Sequence, residues 1–357
     1  RISLAGDLSS LDVRSSRNFK VTPYLLLGGQ RNFALSETEF RHEVGGDVKY
    51  GLTSSLTLDV TVNTDFAQVE VDDEQINLTR FPLFFPEKRG FFLENAGIFA
   101  FGTPGDLDAF FSRRIGIESG QEVPILVGAR LTGKIDRFQL GLLSIQTGEE
   151  EGLVAGQNFF VGRVRREFHK RSSVGVLFTN RETIGDPVHR SKNNRTFGTD
   201  LQLGLGENWI ISSYLAKTHS PELSGEDYAG SVFAGFRNHL WRVEASYLEI
   251  QENFNPEVGF VRRPGNKILH GEFGLRFFQE PGTWLGRHIR EFSPHLTSEQ
   301  VLLPGNSTET KLLLPHFRVE FQDSGFFQVE YLQNFERLSE PFDITRHVTI
   351  PSGDYHF

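Results

Sequence analysis

The chain reads Leu56-Thr-Leu-Asp-Val-Thr-Val-Asn63, then Thr64-Asp-Phe-Ala-Gln-Val-Glu-Val-Asp-Asp73, then Asn77-Leu-Thr-Arg-Phe-Pro-Leu-Phe-Phe-Pro-Glu-Lys-Arg-Gly-Phe-Phe-Leu-Glu94. The first run alternates strictly. Leu56, Leu58, Val60 and Val62 fall on one face, and Thr57, Asp59, Thr61 and Asn63 on the other. A period of two marks a strand with one apolar and one polar side. The third run breaks that period with Pro82, Pro86, a cluster of phenylalanines and the charges Glu87, Lys88 and Arg89. A clean strand beside an apolar, charge-studded excursion predicts a β-barrel with a segment folded into or across it.

Alternation continues along the chain. Val123, Ile125, Val127, Ala129 and Leu131 oppose Gly128, Arg130 and Thr132, and Phe138, Leu140 and Leu142 oppose Gln139 and Gly141. Phe160, Val164 and Phe168 face away from Arg163, Arg165 and Glu167, although Phe159 and Val161 blur that stretch. Phe197, Leu201, Leu203 and Leu205 oppose Asp200 and Gln202. Leu269, Phe273, Leu275 and Phe277 oppose His270, Glu272 and Arg276, and Leu313, Phe317, Val319 and Phe321 oppose His316, Arg318 and Glu320. Roughly 14 such segments of about 9–11 residues are the length a tilted transmembrane strand needs. No helical periodicity competes with them.

Composition decides what the strands can be part of. The 357 residues carry a formal net charge of −9 and are 38% hydrophobic, with 34 Phe against 7 Tyr and 3 Trp. Mean hydropathy is negative, and no run approaches the roughly 18 apolar residues of a membrane helix. A β-barrel escapes that test, because its inward residues are polar. The acidic balance argues against a nucleic-acid partner, which needs a basic footprint. The absence of Cys removes thiolate metal sites and disulfides. The polar faces carry Arg, Glu, Gln, His and many Gly, which suits a crowded polar interior better than a water-exposed sheet. Long polar connections (148–156, 184–196, 219–227, 303–310) alternate with tight turns, as in outer-membrane barrels. The expected fold is therefore an all-β, antiparallel transmembrane β-barrel of the outer-membrane type, with roughly 14–18 strands in this chain. Residues 1–357 form one barrel, and 66–106 are an irregular plug or cap. A soluble multi-sheet β-protein is the competing architecture.

Three motifs carry a resemblance. The runs Asn63–Asp73, Phe81–Glu94 and Phe254-Asn-Pro-Glu-Val-Gly-Phe-Val-Arg-Arg263 are similar to a bacterial family of unknown function. Its members resemble outer-membrane barrels preceded by a carbohydrate-binding-like β-domain of the family 9 type. That front domain is absent here. The ending Pro351-Ser-Gly-Asp-Tyr-His-Phe357 resembles the middle of the family's barrel, so the chain is expected to be a piece of a longer protein. A terminal aromatic such as Phe357 also resembles the end of many outer-membrane barrels. Membrane lipid is the expected partner, with a saccharide or another outer-membrane or secreted protein as a further one, and the outer membrane is the expected location.

Candidate chemistry is sparse. Glu87, Lys88, Arg89, Arg80 and Glu94 are candidates for lining the interior or latching the plug. Asp65, Glu70, Asp72, Asp73 and Glu74 supply oxygen ligands suited to Ca²⁺, but lack the EF-hand order, and a solvated acidic turn is the favoured reading of them. Arg130, Gln139, Arg163, Arg165, Gln202, His270, Glu272, Arg276, His316, Arg318 and Glu320 are expected to face the interior. No catalytic residue and no other metal or cofactor site is nominated; carboxylates are plentiful, but no spacing picks out the pair that a glycosidase needs. The expected role is a channel, transporter or assembly platform. A carbohydrate-active hydrolase or saccharide-binding surface protein and a structural surface anchor are the alternatives.

Overall fold

The alternating segments assemble into one large antiparallel sheet. The computed structural model describes residues 18–32, 37–63, 77, 79–118, 120–150, 152–184, 193–280, 282–345 and 348–357. Among them lies an 18-stranded sheet: β1 (Phe19–Asn32), β2 (Glu37–Gly51), β3 (Leu56–Val62), β4 (Ile125–Ile135), β5 (Phe138–Thr147), β6 (Gln157–His169), β7 (Ser172–Thr183), β8 (Asn193–Leu205), β9 (Trp209–His219), β10 (Tyr228–Arg237), β11 (Trp241–Ile250), β12 (Asn266–Leu275), β13 (Phe277–Phe278), β14 (Ile289–Leu302), β15 (Thr308–Phe321), β16 (Phe326–Glu330), β17 (Gln333–Leu338) and β18 (Gly353–His356). Strands pair with their chain neighbours; β12 and β13 both line β14, and β16 and β17 both line β15. The all-β, antiparallel expectation holds. Closure does not appear: among the described residues no ladder joins β1 to β18, so the sheet has two free edges.

One face is apolar and open. Val176, Phe197, Leu215, Val232, Phe273 and Phe317 are each about half exposed there. The other face carries every polar residue named above from Arg130 to Glu320, grouped around cavities and around the segment that joins β3 to β4. That face is not polar throughout. Leu143, Ile145, Phe159, Val161, Leu177, Ala216, Ala229, Leu248 and Ile250 are buried on it against Phe92, Phe99, Phe101, Leu107, Ala109 and Ile115 of the joining segment. Phe159 and Val161, which blur the sequence pattern, thus point inward to meet an apolar partner. Each of the larger side chains among them contributes about 1.5–3 kcal/mol of burial. Ile125 corrects the sequence reading as well. A bulge between Ile125 and Val127 turns Ile125 inward, leaving it 1% exposed, while Leu126 and Val127 face out.

The joining segment, hereafter the insert, is irregular from Asn77 to Pro124 among the described residues, beyond the expected boundary at 106, and its expected start at 66 lies outside them. It contains one helical turn (Gly90–Leu93), two 3-10 turns (Ala96–Ile98 and Ser112–Arg114) and two-residue strands at Gly102–Thr103 and Leu107–Asp108. Pro82 and Pro86 lie where no ladder runs, as expected of residues lacking a backbone donor. Leu107–Asp108 pairs with Phe260–Val261, which belongs to the connection from β11 to β12. The insert and the long connections leave the same end of the sheet, and the tight turns lie at the other.

Candidate functional site

The contact between the insert and the sheet concentrates the buried charge of the molecule. Glu87 and Arg89 form its innermost pair. The Arg89 Nε donates to Glu87 Oε1 at 2.8 Å and Nη2 to Oε2 at 2.7 Å, a two-pronged geometry that fits a guanidinium to a carboxylate. Arg89 also donates to the Ile115 and Ser112 carbonyls, and the Ser112 hydroxyl donates to Glu87. Burial pulls the Glu87 carboxyl up, but the Arg89 and Ser112 bonds outweigh it and hold it below its ordinary range. The pair therefore fastens the insert to itself, tying 86–89 to 112–115.

Arg130 on β4 fastens the insert to the sheet. Its Nη2 donates to Asp59 Oδ2 on β3 at 2.8 Å, and its Nη1 donates to the carbonyls of Glu94, at 2.6 Å, and Phe91. These carbonyls end the helical turn. Glu94 also pairs with Lys49 of β2, whose ammonium holds its carboxyl below the usual value. A second anchor lies at the far side, where Arg80 pairs with Glu309 of β15, at 3.0 Å, and Glu336 of β17. Arg263 reaches the same Glu309 and stacks 3.8 Å over the Phe81 ring. Lys88, the remaining charge of the cluster, lines a cavity with Lys49, Asp59 and Arg130.

The connection 251–265 clamps the insert from above. Phe111 N donates to the Val258 carbonyl, and Arg114 Nε to that of Gly259. Glu257 is held by Arg181 and, through its backbone N–H, by Asn194. Two of the three sequence motifs, 81–94 and 254–263, thus meet in space. Phe84 joins that meeting, stacked on Phe111 and edge-on to Phe260, while remaining 45% exposed.

Inward glycines receive the rings of the insert. A Cβ at Gly198 would run into the Phe101 ring, and one at Gly141 into Ile98 and Phe99. This is why the polar face is rich in glycine, and the signal was present in the sequence as Gly at alternate positions. Gly198→Ala should displace the 101–108 hairpin and cost about 1–3 kcal/mol. Limited proteolysis of the insert in the variant and the parent checks it; equal rates would count against the packing described.

Asp106 and Asp108 were not picked out by their spacing. They sit on the hairpin facing β8–β12 and line a cavity with Asp200, Tyr214 and His270. Burial pushes Asp108 up to about 6, reinforced by neighbouring Asp106. Burial and Glu299 also raise Asp106, against the pull of Arg262 and Arg263. A raised carboxyl favours the folded state most when protonated. The Asp108 contribution is therefore full below about pH 4, the unfolded value, and is lost as pH rises through about 6. Asp108→Asn should leave stability at low pH unchanged and raise it by about 1–2 kcal/mol at neutral pH, after discounting for partial exposure. Urea unfolding at the two pH values reads this directly, and a variant with the same pH slope as the parent would contradict it.

Among the described residues no three His, Asp or Glu side chains come together so as to hold a metal. The expected Ca²⁺ ligands Asp65, Glu70, Asp72, Asp73 and Glu74 lie outside the described residues.

Residues 17–129 match the profile of a domain of unknown function (DUF5916), bearing out the resemblance to a family of unknown function. The match covers β1 to β3, the insert and the first half of β4, and does not bear on a carbohydrate-binding domain. No curated protein matches the chain.

Proposed function

We infer that this chain, whose residues 17–129 belong to that family of unknown function, forms the wall and plug of an outer-membrane β-barrel through which a solute passes only when the insert shifts. The observation that carries this reading is the outward face. Exposed Phe, Leu and Val cover it over most of the sheet, and Trp209, Trp241 and Phe277 gather at the tight-turn end, with Tyr228 and Tyr247 toward the other. An apolar band flanked by aromatic side chains is the signature of a lipid-facing barrel surface, and a contiguous exposed apolar face marks an interaction surface rather than ordinary soluble surface. The inward face supports the second half of the reading. Its polar residues pair with one another, as in Arg276–Glu291 and Arg163–Asp200, and the insert packs against part of it.

A plug held by side-chain packing and charge pairs rather than by continuous ladders can leave without breaking the ladders of the wall. Purified protein in planar bilayers should therefore conduct little, and deletion of 77–101 should give discrete conductance steps. Silence from both proteins would reject a solute path and favour a surface anchor.

A further inference from the structure

A cation stands within the apolar outward face near the tight-turn end. Arg166 on β6 shares its side with Phe160, Val164 and Phe168, and lies between Phe138 of β5 and Val174 of β7. Arg166 is exposed, and so are Phe138, Phe168 and Val174 around it. Its guanidinium carbon stands 5.4 Å from the centre of the Phe138 ring. Among the described residues it joins no ion pair and no hydrogen bond. The turns beside it are basic in a chain whose net charge is −9. Residues 134–138 and 166–171 hold Lys134, Arg137, Arg166, Lys170 and Arg171 against two carboxylates, Asp136 and Glu167. Glu167 is taken by Lys134, and Arg171 donates to the Glu207 carbonyl of the next turn. Arg137, Arg166 and Lys170 are left as exposed positive charge.

Further along β6 the same face is indented. Gly162 lies opposite Leu142 on one side and Phe178 on the other, and Phe178 lies opposite Phe197. A Cβ added at Gly162 would already touch the Phe160 ring at 3.4 Å and Leu142 at 3.7 Å. The missing side chain leaves an apolar groove of about 570 Å³, walled by Phe160, Phe178 and Phe197. The rings stand in series, with centroids 6.1 and 4.9 Å apart. Val164 and Val176 line the near end of the groove, and Val164 is two residues, or about 7 Å of strand, from Arg166. An apolar groove with cations at its foot matches an amphiphile with an anionic head.

We propose that this groove binds one glycerophospholipid with an anionic head group, an assignment that rests on the lipid-facing reading of the wall. The acyl chain lies over Gly162 between the phenylalanine rings. The phosphate accepts from Arg166, whose planar fork suits it, and Arg137 and Lys170 add positive charge from the turns. A guanidinium turned toward lipid is costly unless it reaches an anion, and this phosphate supplies one. A zwitterionic head brings its own ammonium toward the same cations, so the site prefers phosphatidylglycerol to phosphatidylcholine.

Native mass spectrometry of the whole chain in detergent, titrated with the two lipids carrying identical acyl chains, tests this. One phosphatidylglycerol should be retained, about tenfold more tightly than phosphatidylcholine, as expected for a few cations near an anionic head. Arg166→Gln should shrink that preference to about twofold or less, whereas Arg166→Lys, which keeps the charge, should retain most of it. Gly162→Leu, which fills the groove and leaves the cations in place, should weaken both lipids together. Equal retention of the two lipids, a preference unchanged in Arg166→Gln, or no effect of Gly162→Leu would overturn the assignment. Tighter binding of lipopolysaccharide than of phosphatidylglycerol would overturn it as well. Binding without preference leaves the lipid-facing wall standing, while failure of the parent to insert into vesicles removes the wall and this site with it.

Discussion

Replacing Arg130 by methionine should loosen the insert from the sheet at a cost of about 3–5 kcal/mol, the usual penalty for removing one partner of a buried ion pair. The expectation is large because Arg130 is 2% exposed and has no substitute. Its loss leaves Asp59, itself 7% exposed, with Lys49 at 3.9 Å as the remaining cation, and frees the Phe91 and Glu94 carbonyls together. Methionine keeps the volume of the aliphatic stem, so the change reports on charge rather than on a cavity. Pairing the variant with Asp59→Asn removes the stranded carboxylate and should recover part of the loss. Urea unfolding in detergent, read together with protease cleavage within 80–118, gives both quantities. If the single variant unfolds at the same denaturant concentration as the parent and its insert stays protected, Arg130 does not fasten the insert to the sheet.

Placing arginine on the outward face should be nearly as costly, but only in lipid. Val232 is 55% exposed midway along β10, so in water Val232→Arg would change stability little. At the midplane of a bilayer the same substitution costs about 2–4 kcal/mol. The contrast between the two solvents is the test. Refolding into vesicles should lose that amount, whereas Ser231→Arg, one residue along and facing inward, should not show the same dependence on lipid. Equal effects of both substitutions in vesicles would remove the membrane from the reading.

Much of this was legible in the sequence because strands advertise themselves. Phe197 through Leu205 alternate cleanly, and the structure places them as read. The misreadings have physical causes. Ile125 sits beside a bulge, and one extra residue inverts the face of everything before it. Phe159 and Val161 looked like noise because their partner, the insert, is distant in sequence, and long-range packing leaves no local period. The charged cluster 87–89 was recognisable as needing partners, but not that Arg89 would fold back on Glu87 while Arg130 reached out from the sheet. Asp106 and Asp108 carried no signal at all. A carboxylate becomes unusual only through what surrounds it, and what surrounds these two is assembled from β8 to β14.

The insert touches the sheet at widely separated places: β3 and β4 through Asp59 and Arg130, β8 through Phe101 and Gly198, and β15 and β17 through Arg80. Its breadth is set by its own packing, chiefly the Glu87–Arg89 knot and the phenylalanine cluster. A wide antiparallel sheet twists of its own accord, but nothing within its ladders fixes the distance between strands far apart in the order. Here the three landings do so from one side. The segment is thus a brace across one face of the sheet, and shortening it should change the spacing of the strands it joins.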